Sequence, residues 1–325
     1  MSTYQELVAR IAAEPASNEA RLVCADVLCG TDDARVELIH AQVALSGRLD
    51  PARRLSLTKR VQALLSEHGK RWRQAFDDAH ASDVTFSRGF IEQVTLSEDD
   101  LAKHGEALFA REPLHRLQVE TKDGKGLGLA AGQPWFERVR TLKLAGRGVA
   151  RATKALASAA HAGHVEKLML AGADDATVQA VAGSTALKGL RSLSISSAEL
   201  SDAAFTALAK GSLTLEALYL SGTGLSDEGA QALAKGTAFG SLKLLALNRN
   251  NLSDEGVHAL ASSKTLLQVE RLELSRNEEL SEEGILAFRS AKALPKLRRL
   301  ELKDLYLDRR ELEPVRKRLG AGLRF

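Results

Sequence analysis

The sequence predicts an α/β solenoid with parallel β-strands on its concave face and helices on its convex face. A mainly helical N-terminal capping domain precedes it. Three observations carry this expectation. A Leu-x-Leu type pair recurs eight times at near-constant spacing. Each pair is followed by a turn and a helix-forming stretch, and internal periods of this length mark stacked repeats. Residues 1–83 lack the repeat and carry helical periodicity instead.

In chain order, 4–14, 19–29, 33–46 and 51–68 read as short amphipathic helices. The last has the clearest ends: Asp50 suits the N-cap, Pro51 the first helical position, and Gly69 the position after the end. Leu55, Leu57, Val61, Leu64 and Leu65 mark its buried side. After Trp72 and Phe76 the period changes. Val84–Phe86, the turn Ser87-Arg88-Gly89, and Phe90–Leu96 read as a β-hairpin. Ser97-Glu98-Asp99-Asp100 then looks like a helix start. Val94 to Leu117 is 23 residues, close to one repeat, so 84–113 reads as a hairpin and degenerate capping repeat. Residues 114–325 form a solenoid of about eight repeats.

The pairs are Leu117/Val119, Leu142/Leu144, Leu168/Leu170, Leu193/Ile195, Leu218/Leu220, Leu245/Leu247, Leu272/Leu274 and Leu300/Leu302, stepping by 25, 26, 25, 25, 27, 27 and 28 residues. A strand of about five residues is expected at each, alternating inward and outward. Leu225-Ser-Asp-Glu-Gly229, Leu252-Ser-Asp-Glu-Gly256 and Leu280-Ser-Glu-Glu-Gly284 each precede a helical run. The serine is a natural N-cap, the acids complement the positive helix end, and the glycine permits close packing on the neighbouring repeat.

These units resemble the leucine-rich repeat family, in its longer ribonuclease-inhibitor type. That family usually places Asn or Cys three residues after the second strand leucine, to satisfy backbone groups in the turn. Asn250 and Asn277 fit, Thr223 is a weaker substitute, and Arg147, Ala173, Ala198 and Leu305 depart. Upstream, Arg21-Leu-Val-Cys-Ala-Asp-Val-Leu28, Glu37-Leu-Ile-His-Ala-Gln42, Arg88-Gly-Phe-Ile91 and Glu106-Ala-Leu-Phe109 resemble the bacterial repeat-companion domain over about residues 4 to 117. Cys24 and Val27 stand where that family often has Tyr and Trp. The companion resemblance implies no catalytic activity.

Composition narrows the function classes. Lys plus Arg is 45 against Asp plus Glu at 42, which excludes a strongly basic nucleic-acid binder as the main theme. Aromatics at 4% exclude a base-stacking platform. Two cysteines, Cys24 and Cys29, speak against a disulfide framework and fit a reducing compartment. The N-terminus has no secretory pattern and no run approaches 18 apolar residues, so the cytoplasm is expected and membrane insertion is not.

No catalytic set emerges. Cys24 and Cys29 lie off one helical face and read as ordinary cysteines. His161-x-x-His164 reads as a solvated pair at a repeat helix end. Gly124-Lys-Gly-Leu-Gly128 lacks the phosphate-loop order and reads as a flexible turn. Asp32-Asp33, Asp77-Asp78, Asp99-Asp100 and Asp174-Asp175 read as caps rather than acid–base pairs. From Arg289 to Phe325 there are 12 Lys or Arg against 5 Asp or Glu, consistent with a polar end cap.

Alternation assigns Lys143, Met169, Ser194, Tyr219, Glu273 and Glu301 to the concave face between the leucines, Leu244, Arg271 and Arg299 just before them, and Asn248 just after. A small, uncharged floor around Tyr219 precedes a charged zone in the last repeats. The expected role is a non-enzymatic scaffold holding a protein partner there, without cofactor, metal, small-molecule substrate or nucleic acid. Two alternatives stand beside it: regulation of an enzyme or small GTPase, and anionic-polymer binding by the basic C-terminal cap.

Overall fold

A computed structural model describes residues 3–290, 292 and 294–325. Four helices come first: α1 Thr3–Ala13, α2 Glu19–Leu28, α3 Asp33–Leu45 and α4 Pro51–Asp78. The hairpin β1 Ser82–Ser87 and β2 Phe90–Ser97 leads into α5 Glu98–Arg111. Strand and helix then alternate: β3 Arg116–Glu120, α6 Lys125–Ala131, β4 Thr141–Ala145, α7 Val149–Leu156, β5 Lys167–Ala171, α8 Asp175–Ala182, β6 Ser192–Ser196, α9 Asp202–Lys210, β7 Ala217–Ser221, α10 Asp227–Lys235. The series closes with β8 Leu244–Ala246, α11 Asp254–Ala261, β9 Arg271–Glu273, α12 Glu282–Leu286, β10 Arg299–Glu301, α13 Glu313–Leu319 and β11 Leu323–Arg324.

Among the described residues the strands form one 11-stranded sheet in chain order. β1 and β2 are antiparallel and every later pair is parallel. The register is strict. Leu117, Leu142, Leu168, Leu193, Leu218, Leu245, Leu272, Leu300 and Leu323 stand side by side, all buried. A one-residue slip would turn this whole row to solvent, so burial locks the stack. Strands sit about 4.8 Å apart and packed helices about 8–10 Å apart, so such a stack curves with its sheet inside.

The fourth helix does not stop before Gly69. It runs through Asp78, with Asp50 capping Arg53 N at 2.9 Å. A mid-helix glycine costs about 1 kcal/mol. Burial of Trp72 and Phe76 on the same face contributes about 1.5–3 kcal/mol for each such side chain and outweighs it. The hairpin turn has Arg88 at φ 46 and Gly89 at φ 89, the pair of positive values a two-residue turn of this hand requires. A Cβ at Gly89 would lie 2.7 Å from Ile39 Cα, so only glycine fits.

Strands β8, β9 and β10 have three residues rather than the expected five. Side chains continue their ladders: Ser275 N donates to Asn248 Oδ1 at 2.9 Å, and Lys303 N donates to Ser275 Oγ at 3.0 Å. In the following turns Asn250 and Asn277 are buried. Asn250 Oδ1 accepts from Thr223 N and Leu225 N at 2.9 and 3.2 Å, while its amide donates to Leu220 O at 2.8 Å. Asn277 does the same for Leu252 N, Leu247 O and Leu274 O. The turns holding Ala173 and Ala198 are joined by backbone bonds, Gly172 N to Ser196 O and Ala198 N to Gly222 O.

The first acid of each acidic helix start does more than face the helix dipole. It reaches into the next repeat. Ser201 N donates to Asp175 at 2.9 Å, Ser226 Oγ to Asp202 at 2.8 Å, Ser253 N to Asp227 at 3.0 Å, and Ser281 N to Asp254 at 2.9 Å. Glu282 takes Asp308 N in the same way. The glycine of the motif makes room: a Cβ at Gly256 would overlap Asp227 Oδ1, and one at Gly284 would lie 2.9 Å from Asp254 Cα.

Asp227→Ala is expected to lower stability by about 1–3 kcal/mol, because the half-buried Ser253 N–H and hydroxyl lose a charged acceptor. Gly256→Ala should destabilise the parent protein and have little further effect in the Asp227→Ala background. Urea unfolding of the two single variants and the double variant measures both.

Candidate functional site

The open face of the sheet carries two parallel rows. Gln118, Lys143, Met169, Ser194, Tyr219, Ala246, Glu273 and Glu301 form the middle row, each paired in register with its neighbour. Leu244, Arg271 and Arg299 stand beside one another in the adjacent row. All of these are half-buried except Met169, which is exposed, and Ala246, which is buried. Tyr219 stands between Ser194 and Ala246, so small residues flank the aromatic on both sides.

In the last repeats the register sets like charges side by side, Arg271 against Arg299 and Glu273 against Glu301, which is unfavourable unless other groups intervene. They do. Glu301 lies between Arg299 at 3.9 Å and Lys303 at 3.8 Å. Glu273 accepts from Asn248 Nδ2 at 2.9 Å. Asn248 is therefore committed to the fold through both ends of its amide. Among the described residues Arg271 has no ion pair and no side-chain hydrogen bond. Its guanidinium is the uncommitted charge of this zone.

The glycine-rich segment 124–128 is an occupied anion nest, not a free turn. The Glu98 carboxylate, buried at 1% exposure, accepts from Lys122 N, Asp123 N and Gly124 N at 2.6, 2.7 and 3.0 Å, and from Leu127 N at 3.4 Å. Gly124 has φ 81, and a Cβ at Gly126 would strike the Glu98 backbone. Burial alone would raise the Glu98 pKa; the four backbone donors reverse that and hold it below the ordinary carboxylate range. The sequence signal was an acid directly after the Ser97 cap, one repeat upstream of a glycine-rich turn.

The remaining motifs take structural places. Cys24 is fully buried, and burial pushes its thiol up to about 12, so it stays protonated; Cys29 is exposed. His161 and His164 lie beyond the end of α7, not on it, and His161 Nδ1 contacts Glu137 at 2.7 Å. Asp32 and Asp174 cap α3 and α8. In the basic C-terminal stretch, Arg318 donates to the carbonyls of Phe288, Ser290 and Leu294, and Arg309 lies over the Phe325 ring. No group of three or more His, Cys, Asp or Glu that could hold a metal occurs among the described residues.

The N-terminal helices are fastened to the sheet by buried charge. Arg21 pairs with Glu92 on β2, and Arg35 donates to both Glu112 oxygens at 2.8 and 3.0 Å. The Arg35 guanidinium also lies 5.1–5.5 Å from the Trp72, Phe86 and Phe90 rings. Gln42 Oε1 accepts from Gly89 N at 2.6 Å. Sequence reasoning did not see the cleft of about 510 Å³ above this ion pair, where Tyr4, Asp32, Trp72 and Arg111 meet. Its lining comes from separate segments with no shared motif.

The Leucine Rich repeat family model matches residues 211–234 and 241–261, two consecutive units of this solenoid. Those two units are leucine-rich repeats, and the same strand register continues on both sides of them. No curated protein matches it. Solved structures that align with it include a Bacteroides fragilis protein at 14% identity, covering 82% of each chain with a TM-score of 0.44. Another is a chain of the yeast Rad7 and Elc1 complex, at 13% identity over 99% of this chain and 91% of that one, with a TM-score of 0.30. Likenesses at this level carry no argument about function. No helix among the described residues is long and apolar enough to cross a membrane.

Glu98→Gln should lower the urea midpoint at neutral pH. The Glu98 pKa is depressed in the folded protein, so its contribution is present above the unfolded value and is lost as pH falls through the folded one. The gap between parent and variant should therefore close as the pH drops below the ordinary Glu value of ~4.3.

Proposed function

We propose that the protein is a non-catalytic interaction module that holds a protein partner on the open, inward-curving face of its sheet, with Tyr219 and Arg271 as anchors. The observation that carries this reading is the pairing of a half-buried tyrosine on a small-residue floor with an uncommitted arginine two strands away. Tyrosine and arginine are enriched among residues that dominate binding energy. Met169 and Leu244 extend the apolar part of the surface. Lys143, Arg299, Glu273 and Glu301 form its charged margins, which set orientation more than affinity.

In this reading residues 1–83 are a repeat-companion domain, 84–113 a hairpin and capping repeat, and 114–325 the solenoid. The convergence of Arg21, Gln42, Arg88, Gly89 and Phe90 on the hairpin supports that division. Arg88 binds Asn18 Oδ1 at 3.2 Å and Ala16 O at 3.1 Å, so these signature positions act as one joint. A bacterial, cytoplasmic setting belongs to the same proposal.

Tyr219→Ala combined with Arg271→Ala should weaken binding of the partner at least tenfold, as loss of about 2 kcal/mol or more at such anchors implies. The test compares proteins retained by the parent and by the double variant, with Asn248 and the helices untouched. A partner retained equally by both would overturn the assignment to this face.

A further inference from the structure

The edge of the solenoid where the helices end has a second character. Two adjoining clefts of about 420 and 550 Å³ lie between the ends of α10, α11 and α12 and share Ser262, Ser263 and Lys264. Lys235, Lys264, Arg289 and Lys292 line them, and no acidic residue does. Among the described residues none of these four side chains has an ion pair or hydrogen bond. Elsewhere on the same edge cations are matched: Lys243 and Arg191 meet Glu216 at 2.8 and 3.7 Å, and Lys296 donates to Gln268 at 2.5 Å.

Complementing the helix dipole accounts for a cation at each helix end. It does not account for a cleft between those ends, or for its apolar floor. Leu267 is 41% exposed there, beside Ala261 and Ala287. Cations ringing an apolar hollow are complementary to a chain that offers carboxylates and an apolar side chain together. We propose that this edge is a docking groove for an acidic peptide segment of a protein partner. Its carboxylates meet Lys235, Lys264, Arg289 and Lys292, and one apolar side chain rests on Leu267. No Phe, Tyr or Trp lines either cleft and His258 is the one ring there, so successive nucleic-acid bases have no run of stacking platforms here. This surface is separate from the open sheet face and does not depend on binding there.

The test uses the full chain and a fluorescein-labelled peptide of alternating Glu and Leu, read by anisotropy at low salt. Binding should saturate and weaken as salt rises. Lys235→Glu, Lys264→Glu and Arg289→Glu together should weaken it at least about tenfold. Leu267→Ser, which leaves the charge unchanged, should weaken it about threefold or more. The Tyr219→Ala and Arg271→Ala variant should bind the peptide as the parent does, which separates this surface from the sheet face. The charge variant's circular dichroism and melting curve establish that it is folded, and Lys235→Gln with Lys264→Gln gives a milder second reading. Parent-like affinity in the folded charge variant would overturn the proposal. So would parent-like affinity in Leu267→Ser, or tighter binding of labelled poly(U) than of the peptide.

Discussion

The fold depends on one constraint: the turns contain backbone donors that their own repeat does not satisfy, so a neighbouring repeat must supply the acceptor, from a side chain or from its own backbone. A buried N–H without a partner costs about 1–3 kcal/mol, too much to leave at every turn of a stack. Three devices meet the constraint along the chain. Glu98 fills the nest at 122–127. Asp175, Asp202, Asp227 and Asp254 each bond the serine that opens the next helix. Asn250 and Asn277 serve the turns of the later repeats. Where α6 and α7 begin with Lys125 and Val149, no acid is present. Backbone contact through Gly124 and Gly148 takes over there.

These links explain why the surfaces are ordered. Because every repeat helix runs the same way, acids at the helix starts gather on one edge of the solenoid and cations at the helix ends on the other. The first acid of each start is consumed in joining repeats. The cations at Lys235, Lys264, Arg289 and Lys292 are not. The strands between the edges are held in register, so Tyr219 and Arg271 are presented by a backbone that has little freedom to adjust. Rigid presentation reduces the ordering entropy a partner must overcome. The buried pairs Arg21–Glu92 and Arg35–Glu112 extend the same rigidity into the N-terminal helices.

Much of this was legible in the sequence because it follows from period and pattern. The eight leucine pairs specify the strands and the face that each residue takes, and the hairpin at Arg88-Gly89 follows from turn chemistry. What escaped was long-range. The acids at Asp227 and Asp254 read as dipole complements because local reasoning stops at their own helix. Gly124–Gly128 read as flexible because its ligand, Glu98, lies one repeat away. The helix end at Gly69 failed because tertiary burial of Trp72 and Phe76 overrides a local stop signal. At the candidate surface, alternation placed Tyr219 and Arg271 correctly on the open face. It could not tell that Asn248 is bound up in the ladder or that Arg271 is uncommitted, since both depend on which neighbours come within reach.

Native-state hydrogen exchange at the Ser253 and Ser281 amides tests the repeat-to-repeat linkage most directly. In the parent protein both amides should exchange slowly, each held by the carboxylate of the preceding helix start. In Asp227→Ala, Ser253 should exchange rapidly while Ser281, held by Asp254, stays slow. Slow exchange at Ser253 in that variant, or rapid exchange at both amides in the parent, would contradict the account.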